Sequence, residues 1–227
     1  MNNKNKKTER EDYLKAKEQA KLLNAINTNC TTGLRNYCMI RLMMNAGLRA
    51  SEIHNLELED VDLTNGTAFL KNTKGGKNRY VPINLIVSDL WEWQKERMLM
   101  FKKGVPHPHD VQGEQGVKES ELKNYFFITH KGKPVMTRYM RRIVKKMAVK
   151  ADIYKGDSIH PHILRHTFAT KFMRHKKDIY QLQKILGHES IKTTEVYLHT
   201  TIDEMKESVE GMDDDVIEEL ERIKTKG

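Results

Sequence analysis

Cysteine is scarce in this chain: Cys30 and Cys38 are the two thiols among 227 residues. Two thiols build neither a disulfide framework nor a four-cysteine metal site, and they point to a reducing, cytoplasmic setting. Long apolar runs are missing as well. The longest extend over a few residues, against the ~20 that a membrane-spanning helix needs, so no membrane association is expected. No charged-then-apolar leader opens the sequence; "MNNKNKKTERED" is polar throughout and reads as a flexible N-terminus over residues 1–12. Glycine-rich loops of the Walker or dinucleotide-binding type are absent, as are internal repeats. Carboxylates are not clustered in the way that metal-dependent nucleases require, so that class is disfavoured.

Charge is abundant and unevenly placed. Charged residues make up 31% of the chain, hydrophobic residues 38%, and the net charge is +9. Between Thr201 and Glu221 ten acids face a single base, Lys206; that segment carries −9, so the remainder of the chain carries +18. A body this basic suits a polyanionic partner, nucleic acid being the commonest, although a solvated lysine-rich surface gives the same totals.

Periodicity divides the chain into recognisable elements. "DYLKAKEQAKLLNAI", from Asp12 to about Ile26, places Leu14, Ala20, Leu22, Leu23 and Ile26 on one helical stripe. A second helix over Thr32–Asn45 ends at Gly47, a suitable left-handed cap. Ser51 is positioned to cap a short helix through Glu52 to Leu56. From Asp60 to Asn84 the period changes, with turn residues at Asn65-Gly66 and Gly75-Gly76, and this predicts a three-stranded antiparallel meander. Helix resumes over about Leu85–Lys102. Residues 102–120 read as a loop, and "YFFIT" as an isolated strand. Thr137 is placed to cap a helix reaching about Asp152, apolar along Met140, Ile143, Val144, Met147 and Ala151. Its other face carries Arg138, Arg141, Arg142, Lys145, Lys146 and Lys150.

"HPHILRHTFATKF", His160–Phe172, concentrates three histidines and an arginine. With Pro161 at the first helical position, His162, Arg165 and His166 share a face. A zinc site would need a third ligand, but no carboxylate lies in this stretch and Arg165 would sit beside the cation. An anion fits better. The helix start offers unpaired N–H groups, Arg165 a planar fork matched to two phosphate oxygens, and His162 a group that moves protons near neutral pH. His166 reads as an ordinary hydrogen-bonded helix histidine.

Three further stretches each carry a weak signal alone. "GLRASEI" puts Arg49 just after a helix-ending glycine. "TKGGKNRYVPI" is a glycine-centred hairpin rich in bases. "LGHESIKTTEVYLHT" sets His188 after the Gly187 helix stop, with Tyr197 nine residues on and Ser190 able to cap the helix between. Together with "HILRHTFAT", and in this order, the motifs resemble the catalytic domain of tyrosine recombinases, the phage integrase and Xer-type family. The similarity runs from about Tyr13, where "YLKAKEQAKLL" looks like the family's domain start, through "GKPVMTRYMRRIVKKMAVKADI" to about Thr200.

This resemblance implies an α+β fold, mainly helical with a small three-stranded antiparallel sheet. It implies a flexible N-terminus over 1–12, a catalytic domain over 13–200 and an acidic tail over 201–227. Arg49, Lys74, His162, Arg165, His188 and Tyr197 fall on the family's six active-site positions, with Lys77 the alternative to Lys74 and Glu52 an orienting acid. Tyr197 would attack a DNA phosphodiester to give a 3′-phosphotyrosyl link, with no cofactor and no metal. Lys77, Arg79, Arg138, Arg141, Arg142 and Lys145 are the expected contacts to double-stranded DNA. Integration and excision of a mobile element is the implied role; Xer-type dimer resolution and a catalytically silent DNA-binding relative are the alternatives. Most family members carry a DNA-clamping domain ahead of the catalytic one, and here the catalytic part begins almost at once. The tail, with Val216, Ile217, Leu220 and Ile223 at helical spacing, would either pack on a neighbouring protomer of a tetramer or fold back on its own basic body.

Overall fold

The computed structural model describes residues 13–71, 78–106, 124–176 and 178–187. Seven α-helices, three short 3-10 helices and one three-stranded sheet are seen among them. The helices are α1 (Ala16–Asn24), α2 (Thr31–Asn45), α3 (Ala50–Asn55), α4 (Val87–Lys102), α5 (Thr137–Lys150), α6 (Pro161–Lys176) and α7 (Ile179–Leu186). Strands β1 (Val61–Asp62), β2 (Thr67–Leu70) and β3 (Arg79–Pro82) form an antiparallel meander in the order β1-β2-β3. Val61 pairs with Ala68, and Phe69 with Tyr80. The expected meander is therefore present. Its first turn is held by the Asp62 carboxylate, which accepts from the backbone N–H groups of Thr64 and Asn65. The second turn, at Gly75-Gly76, falls outside the described residues.

Helix α2 is the central member and packs against α4, α5 and α6. Its apolar residues point in several directions, and Met39, Ile40, Leu42, Met43 and Met44 are all buried. A helix surrounded on this many sides must also bury polar groups, and each then needs a partner. Arg35 accordingly donates to the Ile128 carbonyl at 2.7 Å, and Asn36 to the Tyr139 hydroxyl at 3.1 Å. The main core continues through Ile53, Ala68, Val81, Trp93, Phe126, Phe127, Val144 and Leu164. A smaller cluster, Ala169, Met173, Leu182 and Leu186, joins α6 to α7.

Three local expectations are corrected. Ser51 does not cap α3: the capping position is Arg49, and its backbone N–H is satisfied by Glu52 Oε2 at 2.8 Å. Thr137 is the first residue of α5, not its cap; Met136 precedes it with no side-chain cap. The "YFFIT" segment makes isolated bridges, Glu57 with Tyr125 and Ile128 with Pro134, instead of a strand. It is held by side chains as much as by backbone: Trp93 Nε1 donates to the Phe126 carbonyl at 3.0 Å and Arg97 Nη2 to the Tyr125 carbonyl at 3.0 Å.

Gly47 and Gly187 end α2 and α7 in the left-handed region, with φ of 69° and 64°. At Gly47 a Cβ would also lie 2.5 Å from Phe168 Cδ1 and 3.0 Å from Leu186 Cδ2. Gly47→Ala is expected to destabilise the fold by at least about 1–2 kcal/mol, the cost of left-handed backbone for an L-residue, with the Phe168 overlap added. Urea unfolding of the purified variant, read as a lower midpoint at unchanged slope, checks this.

Candidate active site

The functional side chains sit where the ends of several helices and a strand meet. The close of α2, the start of α3, the start of β3, the first turns of α6 and the close of α7 converge on one buried carboxylate, Glu52. Its side chain is 4% exposed and faces three arginines from three elements. Arg79 grips it with both ends of its fork, Nη1 to Oε1 at 2.9 Å and Nη2 to Oε2 at 3.1 Å. Arg49 Nη1 reaches Oε1 at 2.8 Å, while Arg165 Nη1 lies 3.8 Å from Oε2.

The second focus is the C-terminus of α7. The last carbonyls of a helix have no partner within it and carry its negative dipole end. Here guanidinium groups take them. Arg79 Nε donates to Ile185 O at 2.7 Å, Arg165 Nη2 to Leu186 O at 2.7 Å, and Arg49 Nη1 to Leu186 O at 3.3 Å. Arg165 Nη1 also donates to Gly47 O at 2.6 Å, which ties α6 to the end of α2. Among the described residues, three guanidinium groups thus meet one carboxylate, so positive charge outweighs negative around Glu52 in a region largely shut from water. Such an arrangement is costly unless an anion completes it.

His162 stands in the first turn of α6, one turn before Arg165, and is solvent-accessible while Arg165 is buried. Partial desolvation, together with the charges of Arg165, His160 and Arg49, lowers its pKa below the ordinary histidine value. The shift favours the neutral ring, the form that can accept a proton. His166 is half-buried further along the same helix. Glu52 is pulled two ways. Burial pushes its carboxyl up, but the Arg79 hydrogen bonds and charge, the Arg49 N–H and the Arg165 charge outweigh that, and its pKa is lowered. Among the described residues, no three His, Cys, Asp or Glu side chains gather as a metal site would need.

The structure thus brings Arg49, Glu52, His162 and Arg165 together. Lys74, Lys77, His188 and Tyr197 lie outside the described residues, as do 1–12 and the tail; Gly187, the residue before His188, closes α7 against the arginines. Arg138, Arg141, Arg142 and Lys145 are exposed along α5. Arg79 is placed differently from its expected position on the DNA-facing surface. Its side chain is 9% exposed and its donors are directed to Glu52 and Ile185. Strand alternation was the available signal, since Arg79 shares the inward side of β3 with Val81 while Tyr80 and Pro82 face out.

The family model described as "Phage integrase family" matches residues 12–204. This chain belongs to the phage integrase family. Tyrosine recombinase XerC of Halalkalibacterium halodurans is 34% identical over 199 residues, 86% of this chain and 60% of that protein. The crystal structure of XerA recombinase matches with a TM-score of 0.66 and 28% identity, over 87% of this chain and 63% of that one. XerH site-specific recombinase, in a pre-cleavage complex with its difH substrate, matches at 0.67 and 28% identity, over 88% of this chain and 53% of that one. The integrase-family resemblance drawn from the motifs is therefore borne out, and so is the mainly helical fold with its small antiparallel sheet. This integrase-family chain spans 60% of the length of the XerC relative it matches.

Proposed function

We propose that this chain is the catalytic part of a tyrosine recombinase that cleaves and rejoins double-stranded DNA through a 3′-phosphotyrosyl intermediate. The observation that carries the reading is the gathering of three arginines, from three elements, around Glu52 among the described residues. A phosphodiester brings one negative charge and gains another on its non-bridging oxygens as it is attacked, and preorganised donors in a desolvated site lower that barrier most. Arg49 and Arg165 supply the charge, and Glu52 fixes their orientation. A tyrosine hydroxyl titrates near pH 10 and is a poor nucleophile when neutral, so neutral His162 takes its proton as Tyr197 attacks phosphorus. The P–O bond to the 5′ oxygen breaks, and Lys74 protonates that leaving group. His188 donates to a phosphate oxygen. Because the phosphotyrosyl bond conserves the energy of the broken backbone, attack by another 5′-hydroxyl rejoins DNA without ATP.

The exposed bases of α5 give the duplex its phosphate contacts, and the acidic tail couples protomers of a tetramer; the chain acts in the cytoplasm. Two biological roles use this chemistry: integration and excision of a mobile element, and Xer-type dimer resolution. The 34% identity to a XerC protein favours the second at least as much as the first.

The test is incubation with duplex DNA that carries a nick close to the cleavage point, in excess chelator and without nucleotide, followed by a denaturing gel. A protein–DNA adduct is expected, and peptide mapping should locate the nucleotide on Tyr197. An adduct on any other residue, or free ends without an adduct, rejects the mechanism. A plasmid carrying two directly repeated sites then separates the roles: efficient deletion by this protein without accessory factors from a mobile element supports dimer resolution.

A further inference from the structure

We propose that Arg79 is a positioning residue for strand cleavage, holding Glu52 and the end of α7 in register for Arg49 and Arg165, and that it makes no contact with DNA. This rests on the cleavage reading given above.

Arg79 opens β3 and joins elements far apart in sequence. Its fork holds Glu52, 27 residues earlier, and its Nε–H holds Ile185, 106 residues later. Three in-plane donors are thereby engaged by the protein, and the side chain is 9% exposed. The Arg79 side chain also lies close beside Gly187: a Cβ there would meet Arg79 Nη1 at 2.8 Å and Cζ at 3.0 Å. Gly187 is the residue from which the chain continues to His188. One side chain thus fixes the carboxylate between the two phosphate-directed arginines and the helix end that leads into the remaining site residues.

Charge explains why three arginines are needed where two touch phosphate. With Arg79 gripping both oxygens, Glu52 is already neutralised, and Arg49 and Arg165 keep their charge for the substrate. Without Arg79 the same carboxylate becomes the counter-ion of Arg49 and Arg165 alone. It can rotate toward them and draw both forks inward. Loss of the Arg79 hydrogen bonds would also let burial push the Glu52 carboxyl up.

Arg79→Lys and Arg79→Met distinguish positioning from DNA contact. The DNA is a duplex captured by the wild-type protein from a randomised pool and nicked as above. Both variants are expected to bind it with wild-type affinity and an unchanged slope of affinity against salt. At saturating DNA the single-turnover rate of adduct formation should fall ~10-fold to 10²-fold for Arg79→Met, a geometric fault at the reacting centre, and less for Arg79→Lys, which keeps the charge without the fork. The acidic limb of the rate profile should move to higher pH in Arg79→Met. A salt slope reduced by about 1, with weaker binding and an intact rate at saturation, would mark a phosphate contact and overturn the proposal. Unchanged rates in both variants overturn it too. Should Arg79→Met not fold, Arg79→Lys decides by the same readings. Absence of any wild-type adduct rejects the cleavage reading itself, and this proposal with it.

Discussion

Arg165→Lys is expected to lower the single-turnover rate of protein–DNA adduct formation by about 10²–10³-fold at saturating DNA, the loss seen when one preorganised transition-state donor is removed. The charge is kept, so geometry is what the substitution tests. Arg165 is buried, with Nη1 on Gly47 O at 2.6 Å and Nη2 on Leu186 O at 2.7 Å. These two carbonyls come from the ends of two different helices, and together they set the plane of the fork. A lysine ammonium is a point charge on a flexible stem; it cannot satisfy both carbonyls and hold a defined plane toward a phosphate. Binding should fall much less than rate, because duplex affinity comes from many phosphate contacts over the surface. Quenched-flow adduct kinetics beside a filter-binding isotherm give both values, and a thermal melt reads the cost of the lost carbonyl bond. A rate within about threefold of wild type would remove Arg165 from the transition state.

Much of this site was legible because its parts lie at helix ends, where sequence speaks clearly. Gly47 and Gly187 were readable as left-handed stops, and Pro161 as a helix start, and the structure places each there. Those three positions fix where Arg49, His162 and Arg165 emerge. What was not legible depends on partners far along the chain. Ser51 has the right chemistry for a cap, yet Glu52 takes the role because its carboxylate is already held in place by Arg79, 27 residues on. Thr137 does not take its expected capping role, as α5 begins one residue earlier than its hydroxyl suggested. Arg79 itself looked like one base among several in "KNRYVPI". Strand alternation puts its side chain on the inward side of β3, but only the closure of α7 onto β3, over 106 residues, shows which groups its donors meet there. Local patterns report backbone conformation; they carry little about which buried charge will neutralise which.

Glu52→Gln is expected to cost about 3–5 kcal/mol of folding stability near neutral pH, the range for removing one partner of a buried ionic group. The substitution is nearly isosteric, so packing changes little and the loss is electrostatic. A glutamine keeps one acceptor oxygen but turns an N–H₂ group toward guanidinium donors. Arg79, Arg165 and Arg49, grouped within 4 Å of the carboxylate oxygens, then face one another without the charge that Glu52 supplied. The pH dependence separates this cause from a packing defect. Because the folded-state pKa of Glu52 is lowered, its contribution is complete above the unfolded value of about 4.3 and is lost as pH falls through the folded value. The stability gap between wild type and Glu52→Gln should therefore be widest at pH 5–7 and narrow steadily on acidification below about 4.3. Denaturant titrations of both proteins across that range make the measurement. A gap that stays constant down to the lowest pH at which both fold would mean that the carboxylate charge is not what holds the three arginines together. Added sulfate should narrow the gap at neutral pH, since an anion bound among the arginines supplies the missing charge to the variant and stabilises it by mass action.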